Sequence, residues 1–327
     1  MDSVRTEPRR LPRGEQDGPG APAVRSGLGR VVGGPRALRR WAVASLVANI
    51  VIVLTGALVR LTASGLGCPT WPRCTDASYV SHPELGIHGA IEFGNRLLAF
   101  VLVAIAVLTW VAALLHREDG RPRRDLRWLS AGMLLGIPAQ GVIGGITVLT
   151  QLNPFVVALH LLASMVLIGL AVWLVRLTRH LAPVPAPPAG VLAARVAFVL
   201  MGVAVWLGTV VTGSGPHAGD HGAVRTGFDG AFVTHVHATA VYAAVAATVV
   251  ALWVLRSRAA LLLLAVEVLQ AALGITQYHL GLPVALVVLH LLGASLAVAA
   301  STNLVLSVRR RPVAPPLRER FADAHAG

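Results

Sequence analysis

Apolar residues run along this chain in eight long blocks, separated by short polar or arginine-bearing stretches. Approximate limits are 41–61, 87–115, 127–150, 154–177, 191–213, 230–255, 259–279 and 283–308. Each block has the roughly 20 residues that a helix needs to cross a bilayer, so the pattern predicts an all-α polytopic membrane protein. Residues 1–40 have no apolar periodicity and are rich in Arg, Pro and Gly, which predicts a disordered tail. A second polar tail covers 309–327. The Pro-rich stretch 181–190 (LAPVPAPPAG) reads as a linker between two four-helix halves, 41–180 and 191–308.

The polar positions inside the blocks repeat. The segment 140–164 (QGVIGGITVLTQLNPFVVALHLLAS) and the segment 270–295 (QAALGITQYHLGLPVALVVLHLLGAS) share one frame. Each opens with Gln, carries Gly144 or Gly274 four residues later, breaks at Pro154 or Pro283, and places His160 or His290 twenty residues after the Gln. Thr62-Ala-Ser-Gly65 and Thr212-Gly-Ser-Gly215 match in the same way at the ends of the first and fifth spans. Duplication of a four-helix unit explains this, and predicts two pseudo-symmetric four-helix bundles of like orientation.

Composition agrees with this picture. Hydrophobic residues make up 55% of the chain, and the formal charge of +13 comes from Arg alone, since no Lys occurs. Nine arginines lie in the N-terminal tail, five after the second span, three in the middle connection, two after the sixth span and five in the C-terminal tail. The opposite side has only Arg73 and Arg225. The positive-inside bias therefore predicts that both termini are cytoplasmic, with long outer loops at 62–86 and 214–229. Charge confined to tails and short loops, with few aromatics, argues against nucleic acid as a partner. Membrane lipid is the expected surroundings.

Ionisable groups at membrane depth are costly and by default mark function. At 1.5 Å per residue, His160 and His290 sit about 9–11 Å below the outer ends of their helices. His237 and Asn95 fall at similar depth, so each half offers two facing positions at one level. Imidazoles on facing helices of a bundle suit a haem iron. The plain alternative for any one of them is a hydrogen bond to a neighbouring helix. His235, two residues from His237, is the alternate ligand. Glu92 precedes Arg96 by four residues, the favourable order for a helical ion pair; a desolvated carboxylate that handles protons is the other reading. His88, a turn earlier, is placed to relay protons outward. His279 reads as interfacial, while His82, His217 and His221 read as solvated loop residues. His116 and His180 lie with the arginines and carry no signal. Cys68 and Cys74, with five residues between them in the first outer loop, read as a disulfide. A structural clip and a redox-active pair both remain open.

The segments GALVRLTASGLGCPTWPRC, IEFGNR, QGVIGGITVLTQLNP, ALHLLAS, VVTGSGPHAGD, VHA, ITQYHLGLP and LVVLHLLGAS together resemble the haem A synthase family over about residues 41–308. The resemblance implies two pseudo-symmetric four-helix bundles in a bacterial-type plasma membrane. It implies a haem b cofactor held by His237 and His290, a substrate-haem site with His160, and Glu92 as the catalytic carboxylate. Haem O would be the substrate and haem A the product, the C8 methyl passing through hydroxylated intermediates to a formyl whose oxygen comes from water. Haem O synthase and cytochrome oxidase assembly factors would be partners, with homo-oligomerisation left open. One departure stands out: the family motif Glu-x-x-His-Arg reads Glu92-Phe-Gly-Asn95-Arg96 here. Asn95 is a poor iron ligand, which leaves a five-coordinate or water-bridged substrate iron as the simplest expectation. A b-type cytochrome fed by quinol or thiols, or a non-enzymatic haem carrier, are the competing readings.

Overall fold

The computed structural model describes residues 34–217 and 219–311; expectations for most of both tails lie outside the described residues. Eight long helices follow one another: α1 (Pro35–Leu61), α2 (Gly86–Leu115), α3 (Arg124–Leu149), α4 (Pro154–Thr178), α5 (Pro188–Ser214), α6 (Gly230–Leu255), α7 (Arg258–His279) and α8 (Val284–Leu306). All eight are long and apolar enough to cross a membrane. Their starts follow the local chemistry. Proline opens α1, α4 and α5, where its fixed φ suits the first turn and no hydrogen bond is lost. Asn153, Asp229 and Ser257 cap α4, α6 and α7 by accepting backbone N–H bonds from Phe155, Phe232 and Ala260.

Two boundaries differ from the sequence expectation. Helix α1 begins at Pro35, so residues 35–40 are helical rather than part of a disordered tail. Leu38 is buried while Arg36, Arg39 and Arg40 stay exposed, which makes that extra turn amphipathic. The 181–190 stretch is not a free linker either. Strand β3 (Val184–Ala186) pairs in parallel with β4 (Val308–Arg310), and α5 already starts at Pro188. Between α2 and α3, β1 (Arg117–Glu118) and β2 (Arg121–Pro122) form a short antiparallel hairpin.

Helices α1 to α4 contact one another around a ring, as do α5 to α8, and α8 packs against both α1 and α4. The connections 62–85, 150–153, 215–229 and 280–283 gather at one end. Gly65 N–H donates to the Gly219 carbonyl at 2.9 Å, and His217 Nε2 lies 3.1 Å from the Leu282 carbonyl. A side chain at Gly65 would strike Leu152, whose backbone turns with φ of 59°.

The dense core sits at the other, arginine-rich end. One cluster joins Leu38, Ala42, Ala112, Leu126, Met133 and Leu174; another joins Ala194, Ala197, Ala251, Leu263, Ala300 and Leu304. Alanine at these crossings lets helices approach closely. Toward the loop-rich end of the second half, this packing stops. Glu267 is the last buried residue of α7 and Ser295 the first of α8.

Candidate functional site

The loosely packed half of α5–α8 carries two imidazoles. On α7, Gln270 Nε2 donates to the His290 carbonyl at 2.6 Å, which fixes α8 against α7 at that level. Gly274 leaves room for the ring: a Cβ there would lie 3.2 Å from His290 Cε1. His290 Nδ1 is buried without a hydrogen-bond partner. On α6, His237 Nδ1 is 2.9 Å from the Ala204 carbonyl of α5, and its ring rests on Gly208. A carbonyl only accepts, so Nδ1 carries the proton and Nε2 keeps its lone pair. That is how a second hydrogen bond prepares a histidine for a metal. His237 and His290 lie within electrostatic reach of one another. The alternate, His235, is exposed and holds the Ala231 carbonyl of its own helix at 2.7 Å.

The first half repeats one side of this arrangement. Gln140 Nε2 donates to the His160 carbonyl at 3.0 Å and to Ser164 Oγ at 2.6 Å. A Cβ at Gly144 would lie 3.2 Å from His160 Cε1, and His160 Nδ1 is buried and unpartnered. The other side differs. Asn95 Oδ1 accepts from Thr55 Oγ1 of α1 at 2.7 Å and lines a cleft of about 270 Å³ between α1 and α2. Its amide is thus engaged by α1 rather than by His160.

Glu92 is buried, and both its oxygens are occupied. Oε2 accepts the Cys68 N–H at 2.6 Å; Oε1 accepts Arg96 Nη2 at 2.5 Å and Nε at 3.2 Å. Arg96 in turn donates to the carbonyls of Cys68, Thr70 and Arg73, each at 3.1 Å. The pair therefore clamps the first loop onto α2. Cys68 and Cys74 are bonded, and both are fully buried. His88 sits apart from this clamp: it is exposed and its Nδ1 lies 2.9 Å from Ser64 Oγ, so no direct hydrogen bond links it to Glu92.

The donor set fits haem. Two imidazoles with glycine beneath each ring, one orphaned buried ring nitrogen and a poorly packed helix level suit a flat, mostly apolar macrocycle held from both sides. Among the described residues, no group of three or more His, Cys, Asp or Glu is arranged for a bare metal ion.

The family model described as cytochrome oxidase assembly protein, COX15-CtaA, matches residues 39–85 and 84–302. The chain belongs to this family. It is 34% identical to the heme A synthase of Geobacillus thermodenitrificans over 146 residues, 44% of each chain. It is 32% identical to the heme A synthase of Methylorubrum populi over 215 residues, 55% of each chain. These matches span about half the length of the curated relatives.

In this COX15-CtaA member, sequence reasoning passed over two site-side residues, Glu267 and Trp71, and misread a third, His217. Glu267 is buried in α7 with Oε1 accepting from Thr248 Oγ1 at 3.0 Å and Oε2 unpartnered. Its signal was available: it is the single acidic residue of that span. Trp71, between the two cysteines, lays its ring over Gly145 of α3. His217 was expected to be solvated, yet it is half-buried and ties two connections together through the Leu282 carbonyl. Neither could be found from spacing, because both contacts bridge segments remote in the chain.

Proposed function

We propose that this chain is a haem A synthase built from two pseudo-symmetric four-helix bundles, oxidising the C8 methyl of haem O to the formyl of haem A through hydroxylated intermediates. The observation that carries the reading is the histidine-on-glycine cradle, present twice in register but completed by a second histidine only in α5–α8. In that half His237 and His290 would hold haem b, with His237 Nε2 free because Nδ1–H is committed to Ala204. When bound, the haem supplies a one-electron redox centre. In the first half His160 would bind the substrate haem, and Asn95, held by Thr55, leaves the opposite side without a strong ligand.

Glu92 is the carboxylate of that half. The Cys68 N–H and Arg96 hold its two oxygens in fixed directions, and a proton taken from substrate or water would pass through Oε1 or Oε2. The buried Cys68–Cys74 bond supports the clip reading, since exchange requires the clamped loop to lift. The distribution of arginines supports a multi-pass protein of the bacterial plasma membrane with cytoplasmic termini, which puts the loop-rich end outside. Haem O synthase and oxidase assembly factors are the partners this activity calls for.

Haem extraction after co-expression with a haem O source tests the reading. Haem A is expected from the wild type. Glu92→Ala should accumulate haem O while b-type haem persists. Only b-type haem, with haem O returned unchanged by the wild type, would favour an electron-transfer cytochrome instead.

A further inference from the structure

We propose that Arg60 and Arg225 form an anion site at the seam between the two halves, and that its ligand is a propionate carboxylate of the haem held by His237 and His290. The proposal rests on the haem-binding reading above. Arg60 stands at the end of α1, half-buried, with its stem against Gly219. Its Nη2 donates to the Thr212 carbonyl in the last turn of α5 at 2.6 Å, while its Nε is buried with no partner. Arg225, from the α5–α6 connection, donates through Nη1 to the Gly215 carbonyl at 2.5 Å and through Nη2 to the Pro216 carbonyl at 2.7 Å. The two guanidiniums thus hold carbonyls only three residues apart, Thr212 and Gly215, at the end of α5. Among the described residues, every Asp or Glu found in an ion pair is paired elsewhere, with Arg96, Arg123 or His180.

Capping of α5 explains only part of this. A helix C-terminus presents about half a negative charge, against two full positive charges. Arg225 is exposed and solvated, but Arg60 is half-buried with its Nε sealed from water and unpaired, and a shielded charge without a partner is unfavourable. An anion with one or two charges and acceptor oxygens removes the deficit, and guanidinium recognises carboxylate and phosphate alike. A haem at the level of His290 sits about 10 Å below this end of the bundle. Were its propionate edge to face the loops, its carboxylates would lie on the side of the bundle where Arg60 and Arg225 stand. A lipid phosphate carries the same chemistry, but Arg60 reaches across from α1 to the Thr212 carbonyl of α5, and its Nε is shielded from the surroundings.

The test compares haem with haem dimethyl ester, which lacks the carboxylates, titrated into the full chain purified without haem. The wild type is expected to bind the acid roughly 10- to 100-fold more tightly, the range of one or two charge-assisted hydrogen bonds. Arg60→Gln and Arg225→Gln should abolish that preference while leaving ester binding unchanged. Arg60→Lys should keep part of it. General damage weakens both ligands together, so the ratio separates it from loss of the site; Arg225, being exposed, serves if Arg60→Gln does not fold. A preference that survives in both glutamine variants overturns the proposal. So does equal binding of acid and ester by the wild type, and phospholipid phosphorus lost from the glutamine variants would then identify lipid as the anion. Failure to bind either ligand defeats the haem reading itself.

Discussion

His235 and His237 stand two residues apart on α6 and face different surroundings. One is exposed and bonded to its own helix; the other reaches across to Ala204 with its Nδ1 and keeps Nε2 free. His237→Ala and His290→Ala are each expected to abolish the six-coordinate b-type spectrum of the purified protein, whereas His235→Ala should leave it intact. Retention of that spectrum in both of the first two variants would remove haem b from α5–α8. The sequence favoured His237 over His235 on depth alone; the contact to an α5 carbonyl that sets them apart has no signature in residue spacing. The Glu92–Arg96 pair was legible from its i,i+4 order. Its grip on the loop was not, because the partners are backbone groups of Cys68, Thr70 and Arg73. Removing Arg96 leaves Glu92 buried with one fewer cation, and Arg96→Leu should destabilise the fold by about 3 kcal/mol or more, measured by thermal unfolding in detergent.

At the level of elements, the two helical hairpins α3–α4 and α7–α8 use the same three devices: a Gln that holds the histidine's carbonyl, a Gly beneath its ring and a proline at the turn. Gly274→Ala puts a methyl 3.2 Å from the His290 ring. The ring must tilt, and haem retention should fall while the helix itself gains slightly from the propensity of Ala. Gly144→Ala should do the same to His160 and leave the b-type spectrum unchanged. The disulfide closes a short loop, with a sequence separation of 6. Its chain-entropy contribution is about 2 kcal/mol, so Cys68→Ser/Cys74→Ser should lower thermal stability by that order. Helix existence was readable because eight apolar runs leave no other economical structure. Helix starts were less so, since Leu38 packing extends α1 and β4 captures part of what read as linker.

Across the whole molecule, the two ends differ in how they are held. The loop-rich end is joined by backbone bonds and the arginine seam, the opposite end by alanine-rich packing and a charged network. There Arg123 holds Glu118 and Asp125, and its hydrogen bond keeps the Glu118 carboxyl below its ordinary 4.5. Burial holds the nearby His116 imidazole below its ordinary 6.5. The unfolded chain binds more protons than the native one at both groups, so both lose stability as pH falls. The loss begins below about 6.5 at His116 and continues through about 4.5 at Glu118. His116→Gln should flatten the upper part of that decline in thermal melts between pH 7 and pH 5.

The parallel pairing of β3 with β4 has a topological consequence. It fastens the entry to α5 onto the exit of α8, while Arg176 of α4 reaches Asn303 of α8 and the Leu181 carbonyl. The covalent crossing from one half to the other is thus reduced to a few residues just before Val184, bypassed by contacts between α1, α4 and α8. A circular permutant that opens the chain at 182–183 and joins the two natural tails would run α5 to α8 and then α1 to α4. It would sever none of these contacts, so the order of the halves along the polypeptide should be interchangeable.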